Sequence, residues 1–156
     1  MNKLNQGEFF IISPILDGYQ AIYTGGKLSY HKEIDKTEIK PIKNDLKTLS
    51  KCWGDNGKTL DGKIVDGTGF IIYDAVTDNT SRQERYSDRL ANEINIESYR
   101  IQALNLKHIR ILPIHYIGND QSKIPEYLNR AKELGFKGIQ IIRDEAFGEL
   151  NPIICT

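Results

Sequence analysis

The sequence predicts a single α+β domain in which antiparallel hairpins form the sheets and helices flank them. Three observations lead to this prediction. Short apolar runs of strand length are separated by glycine-containing turns, which is typical of β-hairpins. Two longer segments repeat apolar residues at helical intervals. The 156 residues contain no internal repeat, low-complexity tract or linker, so one domain over residues 1–156 is the simplest organisation.

The first third of the chain predicts a strand and a hairpin. The apolar run at residues 9–12, followed by Pro14, indicates a buried strand. Residues 19–23 and 27–31 carry β-branched and aromatic side chains, and the glycines between them supply the positive φ angles of a tight turn. Residues 32–43 are charged and poorly periodic, which predicts a loop or an irregular edge.

The first predicted helix begins at a cap formed by Asn44 and Asp45 and ends at Gly54. Its apolar side is formed by Leu46, Leu49 and Trp53. Residues 60–65 and 69–73, with Asp66 and Gly67 between them, then predict a second hairpin.

A second helix is predicted from the serine and glutamate at positions 81 and 84, which have capping-box spacing, to about Asn95. Its apolar residues recur every four positions: Tyr86, Leu90 and Ile94. Its other side carries three arginines: Arg82, Arg85 and Arg89. These arginines form either a solvated charged face or a patch for an acidic partner or a phosphate.

The last third of the chain predicts a strand, a helix and a strand. Residues 109–114 form a buried strand that Pro113 places near a sheet edge or end. Residues 122–134 form a helix that Gly135 ends. The apolar face of this helix consists of Ile124, Leu128, Ala131 and Leu134. Residues 139–142 complete the pattern as a strand.

The composition argues against several classes of protein. Basic and acidic residues number 21 each, so no global positive field attracts nucleic acid. Cys52 and Cys155 are too few for a disulfide framework and lack zinc-site spacing. Nothing in the chain has the pattern of a secretion signal or a membrane span. The three histidines show no ligand or triad spacing: His31, His108 and His115. A soluble, reduced, intracellular protein is expected.

Five segments carry the distinctive motifs of the chain: residues 15–20 (ILDGYQ), 60–65 (LDGKIV), 71–76 (IIYDAV), 86–90 (YSDRL) and 134–143 (LGFKGIQIIR). In their order and separation they resemble the signatures of the ATP-dependent DNA ligases, small viral ones in particular. The resemblance implies a ligase and mRNA-capping type nucleotidyltransferase fold, with mixed, mostly antiparallel sheets and flanking helices. It also implies a chain truncated before the last signature and lacking the OB-fold.

The resemblance places unsuitable side chains at the catalytic positions of that family. Ile15 occupies the position of the adenylated lysine of KxDGxR, and Gln20 and Tyr30 occupy two arginine positions. Lys63 and Lys137 replace two glutamates, one for the ribose and one for the metal. An isoleucine has no nucleophile, and a lysine repels Mg²⁺. The resemblance thus implies an inactive enzyme with no catalytic residue, metal or cofactor.

The remaining signature residues are interpreted as scaffold: Asp17, Gly18, Asp61, Gly62, Asp74 and Gly138. A migrated nucleophile such as Lys36 or Lys40 lacks the strand-end Asp-Gly context that would align it with a phosphate.

Two functions follow from the resemblance. In the first, the chain is a cytoplasmic pseudoenzyme of a phage or mobile element that binds or inhibits a host protein. Four apolar residues would form its partner or self-association surface: Phe147, Leu150, Ile153 and Ile154. In the second, it sequesters a nucleotide or cyclic oligonucleotide without metal, with Tyr73 stacking on the base and Lys63, Lys137 and Arg143 contacting phosphates. Duplex DNA and membranes are not expected as partners.

Overall fold

The structure, a computed structural model, describes residues 4–30, 36–77, 84–145 and 152–156. In chain order its strands are β1 (Phe10–Pro14), β2 (Tyr19–Thr24), β3 (Lys27–Tyr30), β4 (Lys58–Val65), β5 (Gly69–Thr77), β6 (Ile109–Ile111), β7 (Tyr116–Gly118), β8 (Ile139–Arg143) and β9 (Ile153–Cys155). Its helices are α1 (Lys36–Ser50), α2 (Tyr86–Arg89), α3 (Asn95–Ala103) and α4 (Lys123–Glu133). A 3-10 turn, Lys51–Trp53, extends α1, and a π-helical turn, Leu90–Ile94, joins α2 to α3.

The chain divides into two compact units, each with its own sheet. The central unit is Asp17–Leu112 and contains the sheet β3-β2-β4-β5-β6. The terminal unit combines Met1–Leu16 with Pro113–Thr156 and contains the sheet β7-β1-β8-β9. The assignment of residues 1–156 to one domain stays a prediction.

Both predicted hairpins are confirmed in the central unit. Thr24 pairs with Lys27 across a two-residue turn, in which Gly25 and Gly26 have φ angles of 58° and 78°. Strands β4 and β5 pair from Lys58 and Thr77 to the turn after Val65. Strand β6 runs parallel to β5 at the edge of the sheet, and it ends at Ile111, before Pro113, so it is shorter than the strand predicted at residues 109–114.

Helix α1 corrects the prediction of a loop at residues 32–43, as far as those residues are described. It begins at Lys36, so Asn44 and Asp45 lie inside the helix and do not cap it. Its buried residues recur at helical intervals: Ile39, Ile42, Leu46 and Leu49. Pro41 lies in the second turn of the helix, where the cost of its missing N–H is offset by this buried face.

The next helical segment keeps the predicted apolar face but is longer than predicted. Tyr86, Leu90 and Ile94 are buried, and the helical run continues past Asn95 to Ala103. The predicted capping box begins at residue 81, outside the described residues. Arg82 also lies outside them, and Arg85 is exposed.

In the terminal unit every residue of β1 is buried, and the strand pairs with β7 on one side and with β8 on the other. The core contains Phe10, Ile12, Ala131, Ile139 and Ile141. Helix α4 packs against this core as predicted, but Leu134 follows the end of the helix and is 70% exposed, so it does not belong to the apolar face.

Strands β7 and β9 were not predicted, and β9 changes the interpretation of the apolar C-terminal surface. It pairs with β8, which is therefore not an open edge. Ile153 is half-buried against the core of the terminal unit, and Ile154 is 57% exposed. Phe147 and Leu150 lie outside the described residues. Across the described ranges, no helix is both long and apolar enough to span a membrane.

Candidate functional site

A β-bulge shapes the centre of the five-stranded sheet. Gly62 of β4 pairs with Ile72 of β5, but the next pair joins Asp61 to Asp74. Tyr73 is therefore the extra residue of the bulge, and two residues of β5, Tyr73 and Asp74, lie opposite one residue of β4, Asp61. Bulges of this kind re-aim side chains at the point where they occur.

The bulge brings Tyr73 to Gln20 and Asp61, and these three residues form a hydrogen-bonded group that we name the Gln20 cluster. The Gln20 amide Nε2 donates to Asp61 Oδ1 over 2.8 Å and also to the Tyr73 hydroxyl. The Tyr73 hydroxyl in turn donates to the Asp61 carboxylate. Both amide hydrogens of Gln20 are therefore directed at acceptors within the protein.

Electrostatics keep the Tyr73 hydroxyl protonated. Burial, followed by the charge of Asp61, raises the pKa of Tyr73 well above its ordinary value. Burial also raises the pKa of Asp61, against the lowering effect of the hydrogen bonds from Tyr73 and Gln20. At neutral pH the tyrosine is a stable donor and holds no negative charge.

Lys63 lies on the same sheet face as the Gln20 cluster. It is half-buried and stands directly opposite Gln20 across β2 and β4, and side chains of such pairs project to one face. Tyr30 pairs instead with Ala21, the neighbour of Gln20, and so belongs to the opposite face. The structure thus brings together Gln20, Lys63 and Tyr73, and separates Tyr30 from them.

The other candidate residues belong to the terminal unit. Ile15 follows β1, and its backbone N–H donates to the Gly138 carbonyl over 3.1 Å. Lys137 is exposed. Arg143 ends β8, and its Nε lies 3.3 Å from the carboxylate of Glu8. Arg143 is therefore engaged in an ion pair within its own unit.

Arg89 corrects the prediction of a solvated arginine face. It is 0% exposed and forms two hydrogen bonds to Asp74, Nε to Oδ1 over 2.8 Å and Nη2 to Oδ2 over 2.7 Å. Burial raises the pKa of Asp74, and Arg89 opposes that effect. At about 100° per residue, Arg89 lies about 40° from Arg85 and about 60° from Tyr86, so the helical period alone did not predict its burial.

The Arg89–Asp74 pair fixes the strand beneath the Gln20 cluster. Tyr86 donates its hydroxyl hydrogen to the backbone carbonyl of Tyr73 over 2.6 Å. Arg89 also donates to the carbonyl of Glu84. Helix α2 therefore forms hydrogen bonds to two consecutive residues of the bulge, Tyr73 and Asp74, and these bonds hold Tyr73 in place.

A second buried polar network lies around Glu97, and no motif in the sequence indicated it. Glu97 is 0% exposed, and its two carboxylate oxygens each lie 3.0 Å from the indole Nε1 of Trp53. Lys58 lies 3.3 Å from Glu97 and 3.1 Å from Glu93, and Arg100 also contacts Glu97. Because its charges are paired, this network holds α3 and the π-helical turn to β4.

Three signature glycines pack too closely against backbone for any other residue. A Cβ at Gly18, Gly62 or Gly138 would meet a carbonyl oxygen of a neighbouring strand. This agrees with their interpretation as scaffold. Within the ranges that the structure describes, no three His, Cys, Asp or Glu side chains come together as a metal site. Cys52 and Cys155 are free thiols.

The chain has the nucleotidyltransferase fold of ATP-dependent ligases and mRNA-capping enzymes, which confirms the predicted fold class. Comparison with solved structures gives a Chlorella virus DNA ligase-adenylate at a TM-score of 0.60 and 16% identity, covering 88% of this chain and 56% of that one. A Lig E DNA ligase matches at a TM-score of 0.60 and 16% identity, covering 97% of this chain and 64% of that one. An RNA ligase of Naegleria gruberi, solved with ATP and manganese, matches at a TM-score of 0.62 and 12% identity, covering 96% of this chain and 50% of that one.

This chain spans less than half the length of the structure denoted Pmar-Lig_Pre, which it matches at a TM-score of 0.65 and 17% identity, covering 95% of this chain and 42% of that one. No protein-family model matches the sequence, and no curated protein matches it. The likeness therefore concerns the fold.

Proposed function

We propose that the chain is a catalytically inactive, ligase-like pseudoenzyme that acts as a binding or inhibitory protein. In this proposal it is a cytoplasmic accessory factor of a phage or mobile element, and its partner is a host protein. The nucleotidyltransferase fold supplies the scaffold, while the positions that resemble the family's catalytic residues hold Ile15, Gln20, Lys63 and Lys137.

The Gln20 cluster is the observation that carries the proposal. An arginine at this position would offer a planar guanidinium to phosphate. Gln20 offers an amide, and both of its hydrogens are already directed at Asp61 and Tyr73. Ile15 has no side-chain atom that attacks a phosphorus. Adenylyl transfer therefore lacks both a nucleophile and a phosphate ligand at these two positions.

Incubation with radiolabelled ATP and Mg²⁺ tests the inactivity. We expect no label on the denatured protein, while Chlorella virus DNA ligase, as the positive control, becomes labelled. The variant Ile15→Lys should also stay unlabelled, because Gln20, Lys63 and Lys137 remain. A covalent AMP adduct on the wild-type chain would overturn the assignment.

The binding role is tested by affinity capture. The tagged chain should retain a host protein from lysate in stoichiometric amount, and an unlabelled excess of the chain should compete for it. Capture that is equally strong with an unrelated tagged protein of similar size would count against the role.

A second candidate function is metal-independent sequestration of a nucleotide or cyclic oligonucleotide. It is favoured by one observation: Tyr73 and Lys63 lie on the same face of the central sheet. A base stacked on an aromatic ring gains about 1–3 kcal/mol, and a lysine adds a point charge for a phosphate.

Calorimetry with ATP and with cyclic dinucleotides, each in EDTA and in Mg²⁺, separates the two candidates. Sequestration requires binding that survives EDTA, is lost in Lys63→Ala and Tyr73→Leu, and persists in Tyr73→Phe. Lys132→Ala, which removes an exposed lysine on α4 of the terminal unit, is the matched control. Absence of heat across the panel would reject sequestration.

A further inference from the structure

Helix α1 and the 3-10 turn after it form a positive region on a chain whose formal net charge is zero. Residues 36–53 contain five lysines and two carboxylates. Each carboxylate accepts a hydrogen bond from a backbone N–H: Glu38 from Gly67 over 3.0 Å, and Asp45 from His108 over 2.8 Å. Each carboxylate is therefore directed at a backbone amide outside α1, and the five lysines exceed the two carboxylates by three charges.

Four of the lysines form one row, which we name the lysine row: Lys40, Lys43, Lys47 and Lys51. At about 100° and 1.5 Å per residue, they lie within about 80° of one another and extend over about 16 Å. All four are exposed. None forms an ion pair with any residue in the described part of the chain.

The lysine row borders a groove of about 510 Å³ between α1 and the β2–β3 hairpin. Lys27 lines the groove from the hairpin, opposite Lys43 and Lys47 of the helix. Tyr23 and Leu28 also line it, and each is 6% exposed. Among the described residues that line this groove there is no carboxylate. A concave surface with three lysines is thus open to a negatively charged segment.

We propose that this groove and the lysine row bind an acidic polypeptide segment of a partner protein. Lysines separated by three and four positions match carboxylates repeated at the same interval on a helix. The proposal rests on the proposed role as a binding protein and names the chemistry of its partner.

Nucleic acid fits the surface less well. Tyr23, an aromatic residue in the groove, is buried and offers no platform for a base. The lining residues that the structure describes include no arginine for bidentate contact with phosphate. The neutral chain also provides no long-range attraction for a polyanion.

Fluorescence anisotropy tests the proposal with a labelled poly-L-glutamate of about 20 residues, which would span the lysine row even at the short helical rise of about 1.5 Å per residue. We expect binding at low ionic strength that weakens as salt is added. The variant Lys43→Glu/Lys47→Glu should weaken it by at least about tenfold. The control Arg85→Glu/Lys132→Glu changes charge equally at two exposed positions outside the groove and should stay within about twofold of wild type.

Three results would overturn the proposal: no binding by the wild type, an equal loss in the control, or tighter binding of oligodeoxythymidylate or duplex DNA of matched length. If the helix variant does not fold, Lys27→Glu on the hairpin is expected to weaken binding in its place. The assay uses neither ATP nor magnesium. Its failure therefore leaves the adenylation result standing and is distinguishable from a failure of the inactive assignment.

Discussion

Replacing Arg89 with methionine would leave the Asp74 carboxylate buried without its cation. The two side chains are 0% and 1% exposed and are joined by two hydrogen bonds. Breaking a buried pair by removing one partner costs about 3–5 kcal/mol. Because the free energy of unfolding of a domain is about 5–15 kcal/mol, we expect Arg89→Met to lose a large part of its stability at pH 7.

The loss should depend on pH in a defined direction. Burial already raises the pKa of Asp74, and removing Arg89 removes the group that opposes that rise. A folded state with a raised carboxyl pKa binds a proton more tightly than the unfolded state does. The stability of the variant relative to wild type should therefore recover as the pH falls from the raised pKa toward the ordinary value of 3.8.

Urea unfolding measures the effect, with the fluorescence of Trp53, the only tryptophan, as the signal. Arg85→Met alters an exposed arginine of the same segment and should change stability by less than about 0.5 kcal/mol. Asp74→Asn combined with Arg89→Met should recover much of the loss, because no buried charge remains. A deficit below about 1 kcal/mol, or one that is equal at every pH, would refute the reasoning.

Three further outcomes are expected. Burial and a neighbouring carboxylate raise the pKa of Tyr73, so wild type and Tyr73→Phe should release equal numbers of tyrosyl protons up to about pH 11 in a spectrophotometric titration. One additional proton released by the wild type in this range would contradict the prediction. Gly62→Ala places a Cβ against a carbonyl of β5, whereas Gly67→Ala costs about 1 kcal/mol because alanine disfavours a positive φ. Gly62→Ala should therefore lower the melting temperature more than Gly67→Ala, and equal melting temperatures would argue against this. Glu97→Gln should shift the emission of Trp53, whose indole N–H donates to that carboxylate, and an unchanged spectrum would count against the network.

The sequence predicts elements whose signals are local. The turn at Gly25 and Gly26 is specified by two adjacent residues, and the apolar period of α4 ends at Gly135. The first half of helix α1 was missed because its lysine-rich first turns and Pro41 masked an apolar period that begins at Ile39. Composition dominated the interpretation there, although four buried side chains determine the structure.

The candidate site was predictable only in part, for a related reason. The resemblance identified the positions of Gln20, Lys63 and Tyr73, but not the contacts between them. Gln20 meets Asp61 and Tyr73 from 41 and 53 residues away, across three strands and a bulge. Such contacts depend on strand register, which no local pattern specifies. The burial of Arg89 depended likewise on a partner in another element.

The position of β1 between β7 and β8 has a consequence for biosynthesis. Residues 10–14 emerge from the ribosome as an apolar segment, yet their partner strand β8 ends at Arg143, about 130 residues later. At about 5–20 residues per second, the segment waits on the order of ten seconds before its neighbours exist. The central unit, continuous in the chain, has all of its strands available sooner. Until Arg143 has been synthesised, the nascent chain therefore carries residues 10–14 as an exposed hydrophobic segment, a natural target for chaperones.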